Sequence, residues 1–182
     1  MERARAVLRP PVALLTALVT ALVACSGEPP RYVPVSGPAP EVSGPTLTGG
    51  RLTPAETRGR VLVVNFWNPF CAPCREEQPL LQTEWERFRG RGVLFVGLMY
   101  VGGNPPWPDD REAARRWLRE FGVTYPNLVD EGSVWARGFG LRGIPTTVVV
   151  DREGQMRFQV LGRLREGDLP ELLGRLGVEA GP

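Results

Sequence analysis

Seven residues, Val61-Leu62-Val63-Val64-Asn65-Phe66-Trp67, run through β-branched and aromatic side chains with one polar interruption. Such a run suits a strand buried on both faces, and that kind of strand needs elements packed over each side of its sheet. It is the expected central strand. Shortly beyond it stands Cys71-Ala72-Pro73-Cys74, after which Leu80, Leu81, Trp85 and Phe88 recur at helical spacing until Gly90. That spacing predicts a helix over Pro73–Arg89 with a kink at Pro79. The paired cysteines therefore fall where a strand ends and a helix begins.

Val93–Met99 reads as a second buried strand. Arg111–Phe121 reads as a helix capped by Asp109 or Asp110, with Ala114, Trp117, Leu118 and Phe121 on one apolar face. Thr146–Asp151 and Gln155–Leu161 flank the turn Arg152-Glu153-Gly154 as a hairpin, and Asp168–Leu176 closes the chain as a helix. Val42–Thr53 alternates around Gly49-Gly50 and predicts an added hairpin at the domain edge. The expected class is α/β: a mixed β-sheet with helices on both faces and an added N-terminal β-hairpin. There is no internal repeat.

With 182 residues, 42% of them hydrophobic, the chain suits one domain. All 22 positive charges are Arg and are interspersed with 20 acids, which argues against a nucleic-acid surface. At the start, Arg3, Arg5 and Arg9 precede the apolar run Val12–Ala24 and then Cys25. The run has 13 residues, whereas a spanning helix needs about 20, so it reads as an export signal. Leu22-Val23-Ala24-Cys25 resembles the lipobox of bacterial lipoproteins, in which the chain is cut before a Cys that then carries the lipid. The alternative is that Cys25 is only a small apolar residue ending a signal. Ser26–Val42, rich in proline and without hydrophobic period, reads as a tether. The expected organisation is a signal peptide at 1–24, a lipidated Cys and tether at 25–42, and a folded domain at 43–178.

A cysteine at a helix N-terminus faces unsatisfied N–H groups and the positive end of the helix dipole, both of which favour thiolate over thiol. Cys71 is thus the candidate attacking sulfur. Cys74, one turn into the helix, is near enough to close a disulfide and shielded enough to resolve a mixed disulfide. Pro73 in the first turn costs no helical hydrogen bond there and stiffens the loop between the sulfurs. Two other readings of the pair stay open. A structural bridge is possible in an exported protein, although closing so short a loop restrains few unfolded conformations. A structural zinc site needs four ligands, and the chain has three cysteines, Cys25 among them, and no histidine. The lack of histidine also removes the usual haem or copper ligand, and no cofactor or metal is expected.

The chain resembles the membrane-tethered thioredoxin-like reductases of the TlpA, ResA and CcmG type, which serve cytochrome c maturation and related tasks. The resemblance runs from about Val42 to Leu176. It rests on Val64-Asn65-Phe66-Trp67, Cys71-Ala72-Pro73-Cys74, Glu77 with Pro79, Gly143-Ile144-Pro145-Thr146-Thr147 and Val150-Asp151-Arg152-Glu153-Gly154. It implies a thioredoxin fold in which Pro145 is cis and lies beside the disulfide, where the backbone of Ile144 pairs with a partner's chain. It also implies that Trp67 packs beside the disulfide; simple core is the other reading of an aromatic there. Thioredoxins proper carry a buried Asp at the position of Asn65, which helps deprotonate the resolving Cys. That acid is missing, and without histidine a carboxyl shifted upward by burial is its natural replacement. Glu77 matches the acidic residue that this group places beneath the active site, the alternative being a solvated helix residue like Glu76. Two departures concern partner recognition: Phe70 replaces the usual Trp before the first Cys, and Pro69 sits where small or polar residues are common.

The activity implied is that of a thiol–disulfide oxidoreductase, a reductase of exported protein disulfides such as those of apocytochrome c or copper-centre assembly proteins. An oxidase or isomerase, or a binding module with an inert bridge, are the alternatives. The implied partners are protein thiols and disulfides, a membrane electron donor of the CcdA/DsbD type, and a lipid membrane reached through Cys25. The implied location is the outer face of the bacterial cytoplasmic membrane. The irregular segment Val101–Pro108 can help select partners or simply connect two elements.

Overall fold

The computed structural model describes residues 32–181. The segment read as an export signal and Cys25 lie outside the described residues. Among those described, no helix is long and apolar enough to cross a membrane. In chain order the elements are β1 (Tyr32–Pro34), β2 (Gly44–Pro45), β3 (Arg51–Leu52), α1 (Pro54–Thr57), β4 (Val61–Trp67), α2 (Ala72–Phe88), β5 (Val93–Tyr100), α3 (Arg111–Glu120), β6 (Asn127–Asp130), a 3-10 turn (Glu131–Ser133), α4 (Val134–Gly138), β7 (Thr146–Val150), β8 (Met156–Leu161) and α5 (Asp168–Gly174).

The buried run does form the centre of the sheet. Six strands are ordered β1-β8-β7-β4-β5-β6, with β4, β5 and β6 parallel and β7 antiparallel to β4. Every residue of β4 is buried, and its side chains alternate between two cores, as the period of a strand requires. Val61 and Val63 meet Leu81 and Phe88 of α2 and Leu169, Leu172 and Leu173 of α5. Leu62, Val64 and Phe66 meet Val42, Leu52, Ala136 and Phe139 on the other face. Asp110 caps α3, its Oδ1 accepting from the Ala113 N–H at 2.8 Å. The added hairpin is also present: β2 and β3 pair across Gly49-Gly50, whose φ values of 93° and 84° favour glycine.

The boundary between tether and domain requires correction. Tyr32–Pro34, assigned above to the tether, pairs antiparallel with β8, Tyr32 opposite Val160 and Pro34 opposite Phe158. The segment continues along the domain through Val35 N–H to Arg157 O at 3.0 Å and Ala39 N–H to Gly154 O at 2.8 Å, and Val42 is buried in the core. The folded domain therefore includes residues 32–42. Prolines suit an edge strand, whose outer side needs no donor, and a strand exposed on that side shows little hydrophobic period.

Candidate active site

Cys71 is the N-cap of α2, with extended backbone, and its Sγ accepts from the Cys74 N–H at 3.2 Å. The two sulfurs are bonded, the Cα atoms standing 5.3 Å apart. The turn that delivers them is fixed by Asn68, a fully buried residue that sequence reasoning passed over. Its Oδ1 accepts from the Phe70 N–H at 3.1 Å, and its backbone carbonyl accepts from the Cys71 N–H at 3.0 Å. Its Nδ2 donates to Tyr100 O at 2.9 Å and Pro108 O at 3.1 Å, tying both ends of the segment 101–108 to the cysteine turn. An Asn directly before Pro69 was the available signal, since Asn-Pro favours a turn. Phe70 remains half exposed beside the pair.

The Ile144–Pro145 peptide is cis. Its loop is closed by the Thr146 hydroxyl donating to Gly143 O at 2.7 Å and by the Gly162 N–H donating to Pro145 O at 3.0 Å. Ile144, half-buried, packs against the apolar cluster that contains Cys71, Cys74, Trp67 and Met99. Trp67 is in that cluster and stacks on Trp117 of α3, ring centres 4.1 Å apart at 12°. The structure thus brings Trp67 from β4 and Ile144 from the loop before β7 to the cysteines, with the cis Pro145 following Ile144 in that loop.

Glu77 is buried at 1% exposure. Its Oε1 accepts from Asn65 Nδ2 at 2.9 Å and its Oε2 from the Leu164 N–H at 2.8 Å. Burial pushes its carboxyl up to about 7, although the Leu164 N–H, the Asn65 amide and the nearby Arg163 all pull it down. Glu76, one residue earlier, turns outward to pair with Arg163. Cys74 and Glu77 stand three positions apart, so the two lie on one face of α2, a turn apart. Thr147, Gln78 and Leu164, all buried around Glu77 or its partners, were not singled out from sequence, because their roles depend on which strand or loop lies opposite.

A sulfur held at a helix start and a second one a turn inside can open onto a partner's disulfide and close again by exchange. That chemistry on this sheet defines a thiol–disulfide oxidoreductase with the thioredoxin fold. The chain belongs to the AhpC/TSA family, whose sequence model matches residues 35–159. It is 33% identical over 134 residues to the thiol:disulfide interchange protein DsbE of Pseudomonas fluorescens biotype C, covering 72% of this chain and 69% of that one. It is 32% identical over 152 residues to the thiol:disulfide interchange protein HelX of Rhodobacter capsulatus, covering 82% and 74%. A thiol:disulfide interchange protein of the thioredoxin family from Chlorobium tepidum superposes with a TM-score of 0.65 at 26% identity, over 78% of this chain and 97% of that one.

Proposed function

We propose that the protein reduces disulfides of exported proteins, apocytochrome c or copper-centre assembly proteins among them. It would do so from the outer face of the cytoplasmic membrane, anchored through a lipid on Cys25. In the reduced form the Cys71 thiolate attacks one sulfur of the substrate bridge, forming a mixed disulfide and releasing one substrate thiolate. Cys74 then gives its proton to Glu77 and attacks Cys71 Sγ. The Cys71–Cys74 bond forms, the bond to substrate breaks, and the second substrate thiolate leaves. The substrate has gained two electrons and the protein has lost them; a membrane donor of the CcdA/DsbD type returns them. Ile144 and Pro145 offer backbone to the substrate strand by main-chain pairing, and Trp67 supports the sulfurs from below.

The observation that carries this reading is Glu77: a buried carboxyl held near neutrality, a turn from Cys74, in a chain without histidine. A base with that affinity for protons is matched to accepting one from a thiol near neutral pH. Equilibration with glutathione tests the direction. The expected potential lies below about −200 mV, on the reductant side of the range for such pairs, whereas a value near about −120 mV would make the protein an oxidase. A Cys74→Ala variant, which halts the reaction at the mixed disulfide, identifies the substrates by capture in the native host. Mass analysis of the mature protein, expected to begin at a lipidated Cys25, tests the anchor.

A further inference from the structure

Asn65 uses one of its two polar atoms twice and the other not at all. Its Nδ2 donates to Glu77 Oε1 at 2.9 Å and to Thr147 Oγ1 at 3.0 Å. Its Oδ1, in a residue 2% exposed, has no hydrogen-bond partner among the described residues. The strand register explains where that oxygen lies. Thr147 of β7, Asn65 of β4, Gly97 of β5 and Asn127 of β6 stand in one row across the sheet. With Nδ2 turned toward Thr147, Oδ1 is turned away from it, to the side where Gly97 provides no side chain. Asn127 Oδ1 reaches over that glycine, 1.8 Å from where a Cβ would stand, and it too lacks a donor. Two buried acceptors thus share one side of Asn65, while both of its donors are used on the other.

The hydrogen bonds as they stand suit a charged Glu77. Both carboxylate oxygens accept, and neither of the two groups bonded to them offers an acceptor for an acid proton. Once Cys74 has passed a proton to Glu77, the acid must donate. We propose that Asn65 is a positioning residue whose amide orientation follows the charge of Glu77: donating to the carboxylate as seen here, and turned about its Cβ–Cγ bond to accept from the carboxylic acid. The Thr147 hydroxyl serves both orientations, because it accepts from Nδ2 in the first and donates to Oδ1 in the second. The turn also moves Nδ2 to the side where Asn127 Oδ1 stands without a donor. An Asn at this position therefore gives either protonation state of Glu77 a partner, which an aliphatic residue cannot do.

The inference rests on the reading of Glu77 as proton acceptor. The titratable groups about it are the Arg163 guanidinium from the segment after β8, paired with Glu76 of α2; the Tyr125 phenol from the loop before β6, bonded to Gln78; and the thiols of Cys71 and Cys74 once reduced. β4 and β7 face it with the neutral Asn65 and Thr147, and α5 contributes Leu169, Leu172 and Leu173 to the core below.

Carbon-detected NMR of the Glu77 carboxyl and proton contacts of the Asn65 amide, both followed on the full chain between roughly pH 5 and 9, test the proposal. The expected result is that contacts from the Asn65 amide protons to the Thr147 methyl at high pH give way to contacts with Gly97 Hα at low pH. The midpoint should match that of Glu77. In Glu77→Gln the amide should keep one orientation throughout. Asn65→Leu should raise the Glu77 midpoint by about one pH unit, because the donor lost to the carboxylate is charge-assisted. A titrating Glu77 beside an amide that keeps its Thr147 contact overturns the switch and leaves Glu77 as the base. Exchange of contacts that persists in Glu77→Gln also overturns it, and a Glu77 that does not titrate in this range overturns both readings.

Discussion

Around Glu77, on the β7 side of β4, the buried polar groups find one another, whereas several of those about Gly97, on the β5 side, do not. Asn65 Nδ2, Thr147 Oγ1, Glu77 and the Leu164 N–H form a connected set. Across the strand, the Trp67 and Trp117 Nε1 atoms and Asn127 Oδ1 are buried without partners among the described residues. An unpartnered buried polar atom costs roughly 1–3 kcal/mol. The β5 side is therefore held by the packing of Trp67, Trp117 and Phe121, and the β7 side by hydrogen bonds around a buried carboxyl. One strand can support a redox pair in both ways because its neighbours differ: β7 brings a hydroxyl, and β5 brings a glycine that lets an indole and an amide approach.

The largest break in this comparison should come from the aromatic side. Trp117→Ala removes the stacked ring and should destabilise the oxidised protein by about 3–5 kcal/mol in denaturant unfolding. It should leave the Glu77 titration where it is; a shift of that midpoint comparable to the stability loss would show that the two sides are not separate.

Glu77→Gln acts on the other side, through pH. The folded carboxyl is raised to about 7, so the folded state holds a proton that the unfolded state releases near its ordinary value. Stability from this group is fully present below about pH 4 and is lost as pH rises through about 7, by roughly 3 kcal/mol in all. The difference between wild-type and Glu77→Gln stability curves should show that slope, and parallel curves would place the carboxyl in water. The same variant should lower the apparent pKa of the cysteines by removing a negative charge. It should also slow resolution of a mixed disulfide by about 100-fold in single-turnover exchange.

Gly97→Ala tests the space between the two sides. The added Cβ would lie 1.8 Å from Asn127 Oδ1 and 2.9 Å from Trp67 Nε1. A loss of about 1–3 kcal/mol is expected from such overpacking, with a change in Trp67 fluorescence that reports the displaced ring. Arg163→Ala should have the smallest effect. Its pair with Glu76 is exposed and should be worth under about 1 kcal/mol. Because Arg163 pulls the Glu77 carboxyl down, its loss should still raise that midpoint slightly in the same carboxyl titration.

Much of this was legible in order along the chain. The buried run of β4 and the cysteine pair opening α2 follow from local periods, whereas Glu77 was set apart from Glu76 only by the family resemblance. Asn68 had a turn signal in the following proline, but the carbonyls of Tyr100 and Pro108 that it binds lie far along the chain. β1 was misassigned for the opposite reason: a proline-bearing edge strand borrows its order from β8 and has little pattern of its own. β6, only four residues long, likewise shows no period that could have announced it.

The sequence by itself determined the reacting pair, its place at a strand-to-helix junction, and the absence of any histidine to move protons, because these are properties of residue type and short-range spacing. The tertiary structure decided which carboxyl is buried a turn from Cys74 and what faces it. Asn65, Gly97, Asn127 and Thr147 come from four different strands, and only strand order and register set them in one row. Burial, which turns an ordinary Glu into one that titrates near neutrality, is a property of that assembled row and the helix above it, and no single segment carries it.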